Sequence, residues 1–203
     1  MVITDIKQQL KATDRYSIFI DGRYSFSLGS QKFLELKLAK GQQIDQRRLS
    51  ILKKEAINDK LFSQTLRYCS IRLHSQKEIE AYLQRKQTDP KIHREIIDRL
   101  NKIGLVNDLA FSKAWVNNRR RRFFSQRRII QELRKKGVSN EIIASSISDD
   151  ESDDSVTISE LIRKKRQLAK YAYDDLKLMR YLSQQGYNYE NIKKAVKNKN
   201  NDG

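Results

Sequence analysis

The chain has 203 residues, 42 of them Lys or Arg against 25 Asp or Glu, for a formal net charge of +17. So positive a field favours phosphate backbones and acidic protein surfaces, and a single cysteine, Cys69, excludes an internal disulfide framework or a thiol-held structural metal. No apolar run approaches the length of a membrane span, and the first residues lack a basic stretch followed by an apolar one, so a cytoplasmic protein without membrane contact is expected.

Residues 2–10 alternate in polarity well enough for a strand. Segments 16–20 and 23–28 are rich in aromatic and β-branched residues and are joined by Asp21 and Gly22. Asp-Gly between two such runs predicts a hairpin, because a type I′ turn needs positive φ at both central positions. From Ser30 the pattern becomes helical: a short helix over 31–36, a turn at Lys40 and Gly41, and a helix over 45–58. These elements make an N-terminal unit, 1–58.

From residue 59 the periodicity predicts nine helices in three groups: 60–73, 76–86 and 91–103; 108–122, 126–136 and 140–148; 156–172, 175–185 and 189–198. Ser75 and Glu78 form a capping box. Asp108, Ser125 and Ser139 suit N-caps, and Gly137 suits a helix stop. The groups share a pattern: a polar residue, then apolar residues four and eight positions on. It reads Ser75, Ile79, Leu83; Ser125, Ile129, Leu133; and Asp174, Leu178, Leu182. Gly137 and Gly186 each follow the leucine by four positions. The fold expected is mainly α: three tandem three-helix repeats in a curved elongated array, after the small N-terminal hairpin and helix unit. The repeats would occupy 59–107, 108–148 and 155–203, with the acidic run 149–154 as a solvated linker.

Catalytic chemistry is not visible. His74 and His93 lie in no metal-ligand spacing, and no phosphate loop, nucleophile elbow or HExxH segment occurs. No cofactor, metal or catalytic residue is expected. Cys69 shares a helical stretch with Leu66 and Leu73, which suits a buried apolar role.

The basic residues are unevenly placed. Residues 109–148 hold ten cations and only two acids, Glu132 and Glu141. Four consecutive arginines, Arg119 to Arg122, cannot share one helix face, so some must point outward. A partner- or DNA-binding face is therefore expected at Arg119, Arg120, Arg122, Arg127, Arg128, Arg134, Lys135 and Lys136, with Lys164, Lys165 and Lys177 from the third repeat. Arginine suits bidentate contact with phosphate or carboxylate. Charge runs are ordinarily solvated helix faces, and Arg163 to Arg166 have acids nearby to balance them. Phe123 and Phe124 suit a staple at a helix–helix turn, or stacking on bases. Trp115, four residues after Phe111, suits a core.

These residues also resemble a known family, RecX, bacterial regulators of the RecA recombinase. The first repeat is similar through Leu66, Arg72, Ser75, Glu78, Ile79 and Leu83. The second is similar through Asp108, Phe111, Trp115, Val116 and Arg119, then through the run from Arg128 to Gly137. The third is similar through Lys164, Lys165, Lys177, Tyr181, Leu182, Gly186, Tyr187, Ile192 and Val196. The chain departs from the family pattern in two places: Phe124-Ser125 stands where glycine is common, and Ser112 where alanine is usual. The resemblance implies a curved helical array, not an enzyme, acting as a monomer on the RecA filament groove. It would suppress ATP hydrolysis and strand exchange, binding single- and double-stranded DNA weakly and without sequence preference. The residues alone leave open a stand-alone basic DNA-binding protein of helix-turn-helix type, or an interaction protein for another acidic partner.

Overall fold

A computed structural model describes residues 1–150 and 153–198. The fold is mainly helical, with one small sheet formed by the first thirty residues. Strands β1 (Ile3–Gln8), β2 (Arg15–Ile20) and β3 (Arg23–Gly29) pair antiparallel in the order β1-β2-β3. The hairpin turn is as predicted: Asp21 and Gly22 have φ of 47° and 78°. Thr4 Oγ1 accepts from Gly22 N at 2.9 Å, tying the turn to β1.

After α1 (Ser30–Leu36) comes α2 (Gln46–Ile71), whose N-cap Asp45 accepts from Arg48 N. Two separate helices were expected here, with a break near residue 58. Instead the helix runs unbroken for 26 residues, and the division expected after residue 58 falls inside it. Tertiary contacts explain this. Asp59, a residue suited to ending or starting a helix, spends its carboxylate on Arg15 at 3.3 Å and on Gly29 N at 2.8 Å. It therefore does not compete with its own backbone. Leu49, Leu52 and Ala56 pack on the inner face of the sheet with Ile3, Ile18, Ile20, Phe26 and Leu28.

The helices that follow are α3 (Gln76–Gln84), α4 (Pro90–Lys102), α5 (Asp108–Arg120), α6 (Gln126–Lys135), α7 (Asn140–Ser148), α8 (Asp154–Arg166), α9 (Ala169–Ala172), α10 (Asp175–Gln184) and α11 (Tyr189–Asn198). The chain forms two compact units, one of residues 1–72 and 82–100, the other of 73–81 and 101 onward, and α3 contributes to both. In the first unit Tyr68 stacks on Tyr82 at 4.3 Å and Arg99 lies 3.7 Å from the Phe62 ring centre.

The second unit holds two three-helix cores. Around α5, α6 and α7, Phe111, Val116, Ile129, Leu133, Val138 and Ile143 are buried together. Around α8, α10 and α11 the buried set is Ile158, Leu161, Ile162, Tyr171, Leu178, Leu182, Tyr187, Ile192 and Val196. The helix expected over 156–172 is broken at Gln167 and Leu168, which turns Tyr171 into that core. Residues 199–203 of the expected third repeat lie outside the described residues.

The repeated pattern has a structural meaning. Ile79, Leu83, Ile129, Leu133, Leu178 and Leu182 are all fully buried. In the first two patterns the opening polar residue does more than cap its own helix. Ser75 Oγ donates to Lys136 O at 2.8 Å, and Ser125 N donates to Gln185 O at 3.1 Å. The start of α3 thus docks on the end of α6, and the start of α6 on the end of α10. The glycine four positions after Leu133 and after Leu182 permits the approach: a Cβ at Gly137 would lie 2.7 Å from Lys77 Cβ, and one at Gly186 2.5 Å from Arg128 Cβ. Both glycines also have positive φ, 80° and 95°, which a Cβ would strain.

Candidate partner and nucleic-acid interface

The cations of the second three-helix group divide into inward and outward sets. Phe111, Ser112 and Val116 line the buried face of α5. A helix returns to the same face every three to four residues, so Arg120, four after Val116, also points inward. Its side chain is 8% exposed, with Nε 2.6 Å from Asp150, itself 6% exposed. A second ion pair joins its Nη1 to Asp154. Asp154 also accepts from Gln126 N at 3.1 Å, placing a negative charge at the start of α6 where the helix dipole favours it.

The acidic run is therefore not the solvated linker that was expected. Asp149 pairs with Lys113 at 2.9 Å, Asp150 and Asp154 hold Arg120, and Asp153 caps α8 by accepting from Ser155 N at 2.8 Å. Glu151 and Ser152 lie outside the described residues. Arg120, counted among the binding residues from sequence, is committed to this internal cluster.

Arg119 and Arg128 are engaged by a second carboxylate. Glu132 accepts from Arg119 Nε at 2.6 Å, Trp115 Nε1 at 3.0 Å and Arg128 Nε at 3.3 Å. Burial alone would raise the Glu132 carboxyl, but the Arg119 guanidinium, helped by Trp115 and Arg128, outweighs it and holds it below the ordinary glutamate range. Arg119 also covers Trp115 at 4.0 Å, and Lys136 covers the same indole at 4.2 Å while pairing with Glu78 at 2.6 Å. Trp115 is thus half-buried at the margin of the α5–α7 core, packed against it as expected, with its outer ring face covered by cations. Between α3 and α6 these groups border an open groove of about 530 Å³, rimmed by Lys77 and Lys135.

Phe123 and Phe124 act as a staple. Phe123 takes φ of 58°, packs on the α8–α11 core, and its carbonyl accepts from Tyr187 Oη at 3.1 Å. Phe124 packs on the α5–α7 core, with Arg128 3.9 Å from its ring centre. The chain turns from α5 into α6 through Phe123 in the left-handed region.

The outward set is Arg121, Arg122, Arg127, Arg134 and Lys135, all exposed and without an ion pair among the described residues. Arg121 was not singled out from sequence. Helix phase could have found it, since Arg121 falls on the side opposite Val116. In the third group Lys177 is exposed, Lys164 pairs with Glu160 at 2.8 Å, and Lys165 lies 4.5 Å from the Tyr181 ring centre. Among the described residues no three His, Cys, Asp or Glu side chains gather as a metal site would require, and no helix is long and apolar enough to cross a membrane.

Three family models match in chain order: the Regulatory protein RecX N-terminal domain over residues 1–45, the first three-helix domain of RecX over 62–100 and the second over 107–147. The chain belongs to the RecX family. A Bacillus pumilus relative called Regulatory protein RecX is 30% identical over 201 residues, covering 96% of this chain and 76% of the relative. The Bacillus subtilis RecX relative is 31% identical over 175 residues, covering 82% of this chain and 66% of its own length, so the match spans about two thirds of that protein. A crystal structure of regulatory protein RecX superposes with a TM-score of 0.71 at 21% identity, covering 97% of this chain and 98% of that one. RecX from Lactobacillus salivarius gives 0.57 at 22% identity over 70% of this chain and 95% of that one. These two likenesses concern the RecX fold.

Proposed function

We propose that this RecX family member modulates the RecA recombinase and is not itself an enzyme. It binds the RecA–DNA filament along its groove and suppresses ATP hydrolysis and strand exchange, and free DNA is a weaker, sequence-indifferent partner. The contact surface is the outward cation set of the second three-helix group, extended by Lys164, Lys165 and Lys177. The observation that carries this reading is that five cations there are exposed and unpaired among the described residues, whereas neighbouring arginines are tied to internal carboxylates. Guanidinium groups left free in this way suit phosphate and carboxylate, and charge-assisted bonds are the stronger kind.

The test is DNA-dependent ATP hydrolysis by RecA on single-stranded DNA, with the purified chain added below stoichiometry. Replacing Arg122, Arg127, Arg134 and Lys135 by alanine should abolish most inhibition and leave the melting temperature unchanged. A folded variant that inhibits like the parent would sink the assignment of this face. Inhibition only at DNA-coating concentrations would indicate simple competition for DNA. A tight complex with one duplex sequence at high salt would instead favour a stand-alone DNA-binding protein.

A further inference from the structure

The first compact unit carries a cationic face that the reading above does not use. On α2, Lys53, Lys60 and Arg67 stand seven residues apart. Two helical turns separate each from the next with a drift of only about 20°, so they form one stripe about 21 Å long. All three are exposed, and none has an ion pair among the described residues. The acids of the same helix are turned elsewhere: Glu55 pairs with Lys32 at 2.7 Å and Asp59 with Arg15 at 3.3 Å. The stripe is thus positive without a compensating carboxylate.

Strand β3 borders the stripe with Tyr24, 58% exposed, and with Ser27. Two adjoining hollows of about 390 and 310 Å³ open there, and Tyr24, Ser27 and Lys60 line both. Ser63 and Arg67 line the larger one. Three free cations, the Ser27 hydroxyl and an exposed phenol ring are the donor set for a phosphodiester chain with an unstacked base against the ring. Since α2 packs on the sheet along its inner face, it cannot enter a duplex groove as a free recognition helix. Hollows beside an exposed ring instead suit bases that are not already stacked in a duplex. An acidic peptide would match the cations but give Tyr24 no role.

We propose that this face of the N-terminal unit binds single-stranded DNA, with phosphates along Lys53, Lys60 and Arg67 and a base stacked on Tyr24. The probe is a labelled oligothymidylate of about 15 nucleotides, added to the full chain and to the chain carrying the Arg122, Arg127, Arg134 and Lys135 alanine changes. That background removes four of the five outward cations of the surface assigned above, so a loss seen in it is read on the N-terminal unit and the two readings fail separately. In it, Lys53→Ala, Lys60→Ala and Arg67→Ala together should make the salt dependence shallower by about 2, at about 0.7 per single-strand phosphate. Tyr24→Ala should weaken binding about fivefold or more, and Tyr24→Phe should restore it. Replacing the exposed Lys11, Lys37 and Lys40 removes equal charge and should change the slope little. Circular dichroism and melting should match for all variants. An equal loss in the charge-matched control, no loss in the triple variant, or an unchanged affinity for Tyr24→Ala would each overturn the proposal. So would preferential displacement by polyglutamate, which would assign the face to an acidic protein.

Discussion

The second and third three-helix groups both end their first helix in four cations, Arg119 to Arg122 on and beyond α5 and Arg163 to Arg166 on α8. One geometric rule sorts both runs. On α5 the buried residues Ser112 and Val116 lead, four on, to Arg120; on α8 Ile158 and Ile162 lead, four on, to Arg166. In each run that one arginine turns in. The runs differ in what it reaches. Arg166 stays local, pairing with Asp175 and donating to Tyr171 O and Ala172 O at 2.9 and 3.1 Å. Arg120 reaches across a chain separation of more than thirty residues to Asp154, and so fastens the end of α5 to the start of α8. Charge density alone does not distinguish a binding surface from a strut; helix phase and the position of counter-ions do.

The largest effect should follow Arg120→Ala. Its removal breaks a buried ion pair, taking the guanidinium from both Asp150 and Asp154, a change that typically costs about 3–5 kcal/mol. The chain should show a lowered denaturant midpoint and, if α8–α11 loosens first, a second unfolding transition. A midpoint within experimental error of the parent would mean that Arg120 is not a strut. Arg166→Ala should cost less, about 1 kcal/mol, because Asp175 is half-exposed and water can replace the lost donor. If Arg166→Ala proves the more damaging of the two, the contrast between long-range and local struts is reversed.

What could be read from sequence follows the same division. The buried pairs such as Ile129 and Leu133 were legible because apolar residues four apart signal a helix face. The Asp21–Gly22 hairpin was legible because few residues tolerate its dihedrals. Arg120 was half legible: its phase with Val116 is in the sequence, but nothing local says that Asp150 and Asp154 fold back to meet it. The break at Gln167 was not visible, since neither Gln167 nor Leu168 is a breaker and the gain lies in burying Tyr171. Ser75 and Ser125 were read as caps, yet their docking on Lys136 and Gln185 depends on partners sixty residues away.

Acid should separate the runs next. Glu132, held below its ordinary value, binds fewer protons folded than unfolded, so it contributes stability above the unfolded value of about 4.3. That contribution is lost as pH falls through the lower folded value. On α8, Glu160 is likewise lowered, first by its bond to Lys164, but it is solvent-exposed and should contribute little. Melting temperatures between about pH 5 and pH 3 should fall less steeply for Glu132→Gln than for the parent. Glu160→Gln should follow the parent curve. Coincidence of the Glu132→Gln and parent curves would show that the network around Trp115 is not tied to folding.

The smallest change in stability should come from the two arginines that turn outward. Arg121 and Arg122 are exposed and unpaired among the described residues, so replacing both by alanine should alter stability by no more than about 0.5 kcal/mol. Their partners, if the face is a binding surface, are charges on another molecule. The double variant should therefore melt with the parent while its affinity for DNA becomes less salt-dependent, by about 0.7–0.9 in slope for each phosphate contact removed. Arg120→Ala predicts the reverse pattern: a lower melting point and, at temperatures where the chain remains folded, an unchanged salt slope. Measuring both quantities on both variants tests the assignment directly, because adjacent arginines of identical chemistry should fall on opposite axes. If Arg121 and Arg122 lower stability as Arg120 does, or leave the slope untouched, the inward and outward division fails at the residues where it is sharpest.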